Sequence, residues 1–215
     1  MYKLNENIIT LYSKWKEGYT RKENSFELKV RNFLSNRKDA DKFKISEDGK
    51  HLDAYNHVTI TDDDILDGKL PVPFGEIKGA FDCSCCPSLT SLEGAPKKIK
   101  GSFECYDCPS LKLLEGAPKK IGGIFDCSGC TSLTSLVGAP EYVGWGFDCR
   151  HCDSLTSLEG APKKVGKDFN CCICSNLTSI EGLPKEIGGN LYIDDRFKGK
   201  IPNDITIKGD ITYYG

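Results

Sequence analysis

What this chain of 215 residues lacks excludes a good deal. No stretch approaches the roughly 20 apolar residues that a membrane-spanning helix needs. The first residues, MYKLNENIITLYSKWKEGY, carry charges throughout and hold no apolar run of signal-peptide length. A cytoplasmic protein without membrane attachment is therefore expected. An excess of basic charge is also missing: the net charge is −2, which disfavours nucleic acid as a partner. There is no nucleophile–base signature, no phosphate-binding glycine loop and no nucleotide fingerprint, so neither an enzyme nor a cofactor is expected. Disorder is excluded by an apolar content of 39% against 28% charged residues.

Cysteine is abundant, with 12 residues, and in the cytosol these are expected to remain thiols. Ten of them fall in a repeat. Phe81, Phe103, Phe125, Phe147 and Phe169 each open a unit of 22 residues, with the frame F-x-C-x-x-C-x-x-L-x-x-L/I-x-G-x-P-x-x-I/V. Five in-phase copies cannot be accidental, and a fixed period of this length means a stacked array. Upstream, Val58, Ile60, Asp63 and Leu66 stand where Phe81, Cys83, Cys86 and Leu89 do, with one residue inserted. Downstream, Leu191 and Ile193 fall in phase with Phe169 and Cys171. The resulting division is an N-terminal region over 1–57, a degenerate repeat over 58–80, five regular repeats over 81–190 and a degenerate closing unit over 191–215.

Each unit reads as one coil. In F-x-C the two apolar residues are two apart, so they share one face of a short strand. The second cysteine turns inward at the strand's end, and L-x-x-L lines the far side of the core. The G-x-P step blocks a helix, which predicts an extended or tightly turned return path.

This frame resembles a leucine-rich repeat, with Cys at the ladder position. The L-x-x-L-x-G-x-P half resembles the LPX-type repeats of bacterial effectors, and C-x-S-L-T-S-L is similar to repeats of spirochaete-type surface antigens. Units such as FDCS…LTSLEGAPKKVGG also resemble uncharacterised repeat proteins of tailed phages. The resemblance implies an α+β chain: a right-handed solenoid with short parallel strands on a concave face, an extended convex side and an N-terminal helical and hairpin cap. It implies no catalysis. The ubiquitin-ligase domain that accompanies the effector repeats has no counterpart here, and that activity is not carried over. A phage origin would place the protein in the host cytoplasm.

The pairs Cys83/Cys86, Cys105/Cys108, Cys127/Cys130, Cys149/Cys152 and Cys171/Cys174 satisfy, two at a time, the spacing of a four-thiolate zinc site. That zinc reading is the alternative. Five equivalent copies would leave one pair over, and Ile60 and Ile193 occupy the first-Cys position in the end units. A buried structural ladder without metal is the reading favoured here. Cys85 and Cys172 lie outside the frame and are expected to project outward and react with thiol reagents.

Residues between the core positions of each strand face away from the core. One column reads Asp82, Glu104, Asp126, Asp148, Asn170 and Tyr192; the next contains Tyr106, Arg150 and Asp194. Stacked carboxylates destabilise a sheet, so this concave face is the candidate binding surface for another protein of basic character, with Tyr106, Arg150 and Tyr192 as anchors. A local role, each carboxylate capping a backbone donor, is the competing reading.

The convex side carries Lys97/Lys98, Lys119/Lys120, Lys163/Lys164 and Lys185, read as a solvated face. Glu141 and Tyr142 interrupt that row in the third unit and, with Trp145, mark a candidate second contact patch. In the front quarter, Phe26, Val30, Phe33 and Leu34 share one face of a helix. An earlier helix with Ile8, Ile9, Leu11, Tyr12 and Trp15 and a hairpin around Asp48-Gly49 are also predicted. This segment is expected to cover the solenoid's open end, the alternative being a separate catalytic or effector module in 1–57. His51 and His57 near Asp53 and Asp62–Asp64 lack any recognised ligand spacing.

Overall fold

The computed structural model describes residues 25–35 and 37–215. The predicted early helix lies outside them. The described residues begin with helix α1 (Ser25–Leu34), which buries Val30, Phe33 and Leu34. Next comes the hairpin β1 (Phe43–Ile45) and β2 (Leu52–Ala54), paired antiparallel. Strands β3 (Val58–Thr59) and β4 (Phe74–Ile77) form the first coil. Each later coil adds two strands. They are β5 (Phe81–Asp82) and β6 (Lys98–Ile99), β7 (Phe103–Glu104) and β8 (Lys120–Ile121), then β9 (Phe125–Asp126) and β10 (Tyr142–Val143). The series continues with β11 (Phe147–Asp148) and β12 (Lys164–Val165), then β13 (Phe169–Asn170) and β14 (Glu186–Ile187). It closes with β15 (Leu191–Asp194), β16 (Thr206–Ile207) and β17 (Ile211–Tyr214).

The result is a parallel β-solenoid of about seven turns with two sheets. Sheet one has eight strands in the order β17-β15-β13-β11-β9-β7-β5-β3 and contains the Phe-x-Cys segments. Sheet two has nine, β1-β2-β4-β6-β8-β10-β12-β14-β16. The predicted return path is thus extended, as expected, but it also pairs coil to coil into a sheet of its own. Phe pairs with Phe and Ile or Val with Ile or Val at every step between the regular coils, as Phe103↔Phe125 and Ile99↔Ile121 show. The degenerate ends keep this register through Val58↔Phe81 and Phe169↔Leu191.

Period-matched side chains follow from matched register. The rings of Phe81, Phe103, Phe125, Phe147 and Phe169 form one offset stack with centroids 5.3–5.4 Å apart and planes within 20°. At its head Phe74 meets Phe81 edge to face at 5.0 Å, and Phe33 of α1 meets Phe74 at 5.7 Å. One continuous apolar core therefore runs from the helix through the coils. No polar or charged residue is buried among the described residues.

Candidate functional site

The ten framework thiols line the core beside the phenyl stack, all fully buried. The first cysteine of a coil points its Sγ–H forward. Cys83 donates to the Glu104 carbonyl at 3.4 Å, and Cys127 and Cys149 do the same to Asp148 and Asn170 at 3.4 Å. The second points back. Cys108, Cys130, Cys152 and Cys174 donate to the carbonyls of Cys83, Cys105, Cys127 and Cys149 at 3.1–3.2 Å. Those carbonyls lie just past the strand end and accept none of the coil-to-coil amide bonds that continue there, such as Cys85 N–H to the Tyr106 carbonyl, so the thiol supplies a donor the backbone does not. The ladder ends on substitutes. At its head Cys86 donates to the Ile60 carbonyl at 3.7 Å, and past its foot Arg196 donates to the carbonyls of Cys174 and Ser175 at 2.6 and 3.1 Å, three and four residues beyond the series' next acceptor position, Cys171. Arg196 stands one period after Cys174, so extending the repeat would have found it.

Burial raises the pKa values of Cys83, Cys127, Cys149 and Cys171, and it raises Cys108 and Cys174 to about 12 and Cys86 to about 11. Thiols so shifted stay protonated at neutral pH and are poor nucleophiles. Among the described residues no group of three or more His, Cys, Asp or Glu side chains is gathered as a metal site would require. Of the two cysteines outside the frame, Cys85 is exposed as expected. Cys172 corrects the expectation: it is only 4% exposed. Strand alternation puts it on the outer face, yet it is nearly inaccessible there, and burial, with the nearby Asp148 and Asp194 carboxylates, raises its pKa.

The ladder geometry makes a distinguishing prediction. Cys130→Ala removes the donor to the Cys105 carbonyl and should cost about 2 kcal/mol, since a buried acceptor is left unpaired. Cys130→Ser keeps a donor and should recover part of that loss in urea unfolding. Equal losses in the two variants would mean that the thiol only fills space.

Over this ladder runs the acidic column. Register places Asp82, Glu104, Asp126, Asp148, Asn170 and Tyr192 side by side on adjacent strands of sheet one. The carboxylates of Asp82, Asp126 and Asp148 each accept the amide N–H two residues on, from Ser84, Ser128 and Arg150 at 2.9–3.0 Å. Asn170 does the same for Cys172 at 3.2 Å. The column's local task is to close these turns, and a neutral Asn performs it. The negative charge is therefore surplus to the fold. It is also unfavourable: Glu104 titrates above its ordinary range because of partial burial and the neighbouring Asp82 and Asp126, and Asp148 does so because of partial burial and Asp126, despite its ion pair with Arg150 at 3.5 Å.

Asp148→Asn keeps the turn and removes the charge. A carboxyl with a raised folded-state pKa binds more protons folded than unfolded, so its penalty appears as pH rises through and just above the ordinary carboxylate range. The variant should match the parent in stability near pH 3 and exceed it by about 0.5 kcal/mol at pH 7, as expected for relief of a cross-strand like-charge pair.

The other sequence-predicted residues divide into two groups. Tyr106, Asp126 and Arg150 line an open depression of about 440 Å³ together with Asp107, Ser128, Gly129 and His151. Tyr192 and Asp194 lie at the C-terminal end of the face. The Tyr192 hydroxyl accepts from Asn190 at 3.1 Å, and Asp194 pairs with Arg196 at 2.8 Å. On sheet two, the lysine row partly neutralises itself, since Lys164 pairs with Glu186 and Lys185 with Asp204. No family model, curated protein or solved structure matches this chain. The reading of function therefore rests on the geometry. No helix among the described residues is long and apolar enough to cross a membrane.

Proposed function

We propose that this chain is a non-enzymatic protein-interaction module, a right-handed solenoid of leucine-rich-repeat type whose sheet-one face binds a basic protein surface. The supporting observation is the surplus charge. Asn170 closes the same turn as Asp82, Asp126 and Asp148 without repulsion, yet three coils carry the aspartate and a fourth carries Glu104. Charge kept against the fold's interest belongs to recognition. Tyr106 and Arg150, beside the central carboxylates, are residue types that anchor protein contacts. In this reading α1 and the hairpin cap the N-terminal end of the core. The likeness to tailed-phage repeat proteins makes a host regulatory or defence protein, in the host cytoplasm, the partner class.

The test is affinity capture with the parent and with the quadruple variant Asp82→Asn, Glu104→Gln, Asp126→Asn and Asp148→Asn. The variant should melt at or above the parent temperature while losing the captured partner. Retention of that partner by the variant would remove the acidic face from consideration.

A further inference from the structure

The five regular coils serve as controls for one another, and the third departs from the rest on its surface alone. Where the others carry Glu93, Glu115, Glu159 and Glu181, it has Val137. Where they carry Lys97, Lys119, Lys163 and Lys185, it has Glu141; at the next position Tyr142 replaces Lys98, Lys120 and Lys164. Trp145 stands where Gly101, Gly123, Lys167 and Gly189 do. The core of this coil is unchanged, with Phe125, Cys127, Cys130, Leu133 and Leu136 all fully buried. The fold does not require these replacements, since four sister coils form without them.

They also stay uncovered. Trp145 is 62% exposed, Val137 43% and Tyr142 39%. Trp145 is bracketed along the stack by Gly123, whose carbonyl accepts its N–H at 3.1 Å, and by Lys167, whose N–H donates to its carbonyl at 2.7 Å. Tyr142 lies in register between Lys120 and Lys164 on sheet two. Tyr142 and Trp145, three residues apart, thus stand exposed between basic neighbours along the solenoid, of which Lys164 is shared with Glu186.

We propose that this patch docks an extended, acidic protein segment with one aromatic or large aliphatic residue at its centre. The lysines flanking Tyr142 each lie one strand spacing away, about 4.8 Å, while an extended chain rises about 3.3 Å per residue. Carboxylates one to two residues on either side of the anchor match that spacing. A single-stranded nucleic acid fits less well. Its continuous phosphates would meet Glu141 in the middle of the lysine row, whereas a peptide with a neutral anchor there leaves its carboxylates to the flanking coils. This site lies on sheet two and is independent of the acidic face.

The experiment titrates the full chain with a fluorescein-labelled peptide GSDEFEDSG, following anisotropy. Controls are GSDESEDSG, which lacks the anchor, and a short labelled oligothymidylate. Binding of the first peptide should weaken roughly tenfold or more in Trp145→Ala, the loss of a central aromatic anchor. It should weaken similarly in the triple variant Val137→Glu, Tyr142→Lys, Trp145→Gly, which copies the sister coils and should melt like the parent. The proposal is overturned if the anchor-free peptide binds equally well, if Trp145→Ala binds unchanged, if only the oligonucleotide binds, or if GSDEFEDSG fails to bind at millimolar concentration.

Discussion

Phe125→Ala is expected to remove about 3–5 kcal/mol, a large part of the stability of a typical domain. The ring is fully buried and stacked on both faces, 5.4 Å from Phe103 and 5.3 Å from Phe147. Its loss leaves a void at the centre of the column, where neighbouring coils are tied by backbone bonds on both sheets and collapse poorly onto it. Because coils contact mainly their neighbours, a weakened middle coil also uncouples the two halves. The urea transition should broaden or split as well as move to lower concentration. Phe125→Leu should cost much less, under about 1.5 kcal/mol, since Leu191 holds the same register position in the last coil. Similar losses for Ala and Leu would show that ring stacking, not filled volume, dominates.

Gly160→Ala is expected to cost about 3 kcal/mol or more. This glycine has φ +89°, outside the region an L-residue readily adopts, and an added Cβ would lie 2.3 Å from the Val137 amide nitrogen and 2.5 Å from the Leu136 carbonyl carbon. Backbone strain of about 1–3 kcal/mol thus adds to a clash with main chain that cannot rotate away. Gly49 gives the contrast. It sits in the hairpin turn at φ +68° with nothing within 4 Å, so Gly49→Ala should cost about 1 kcal/mol from conformation alone. Paired urea unfolding of the two variants separates coil-to-coil approach from backbone preference. If Gly160→Ala costs no more than Gly49→Ala, the coils are not as closely stacked as described.

Different parts of this architecture were legible in the sequence to different degrees, for physical reasons. The Phe and Cys columns could be read directly because every buried position recurs at the same period, and the helix and hairpin because their patterns are local. Sheet two could not. Its regular strands are two residues long and each buries one side chain, such as Ile121 beside exposed Lys120, so no alternation betrays them. The turn inside each C-x-x-C was hidden for another reason. Cys85, Asp107, His151 and Ile173 adopt positive φ there, and only Gly129 spells that conformation in its residue type. For the acidic column, periodicity places the carboxylates, and their capping of a local backbone donor is one of the two readings, borne out at Asp82, Asp126 and Asp148; only which amide each accepts needed the backbone. Cys172 departs from expectation because alternation assigns a face and says nothing of how accessible that face is.

The account stands on thiols that are buried, protonated and bound to carbonyls rather than to metal. Counting reactive thiols in the native protein tests this most directly, using an aromatic disulfide reagent at neutral pH with mass spectrometry to locate the label. One fast-reacting cysteine, Cys85, is predicted, with the other eleven of the chain's 12 reacting only on unfolding. Rapid labelling of any framework pair, or thiols that become reactive only when a chelator strips bound zinc from the folded protein, would contradict it.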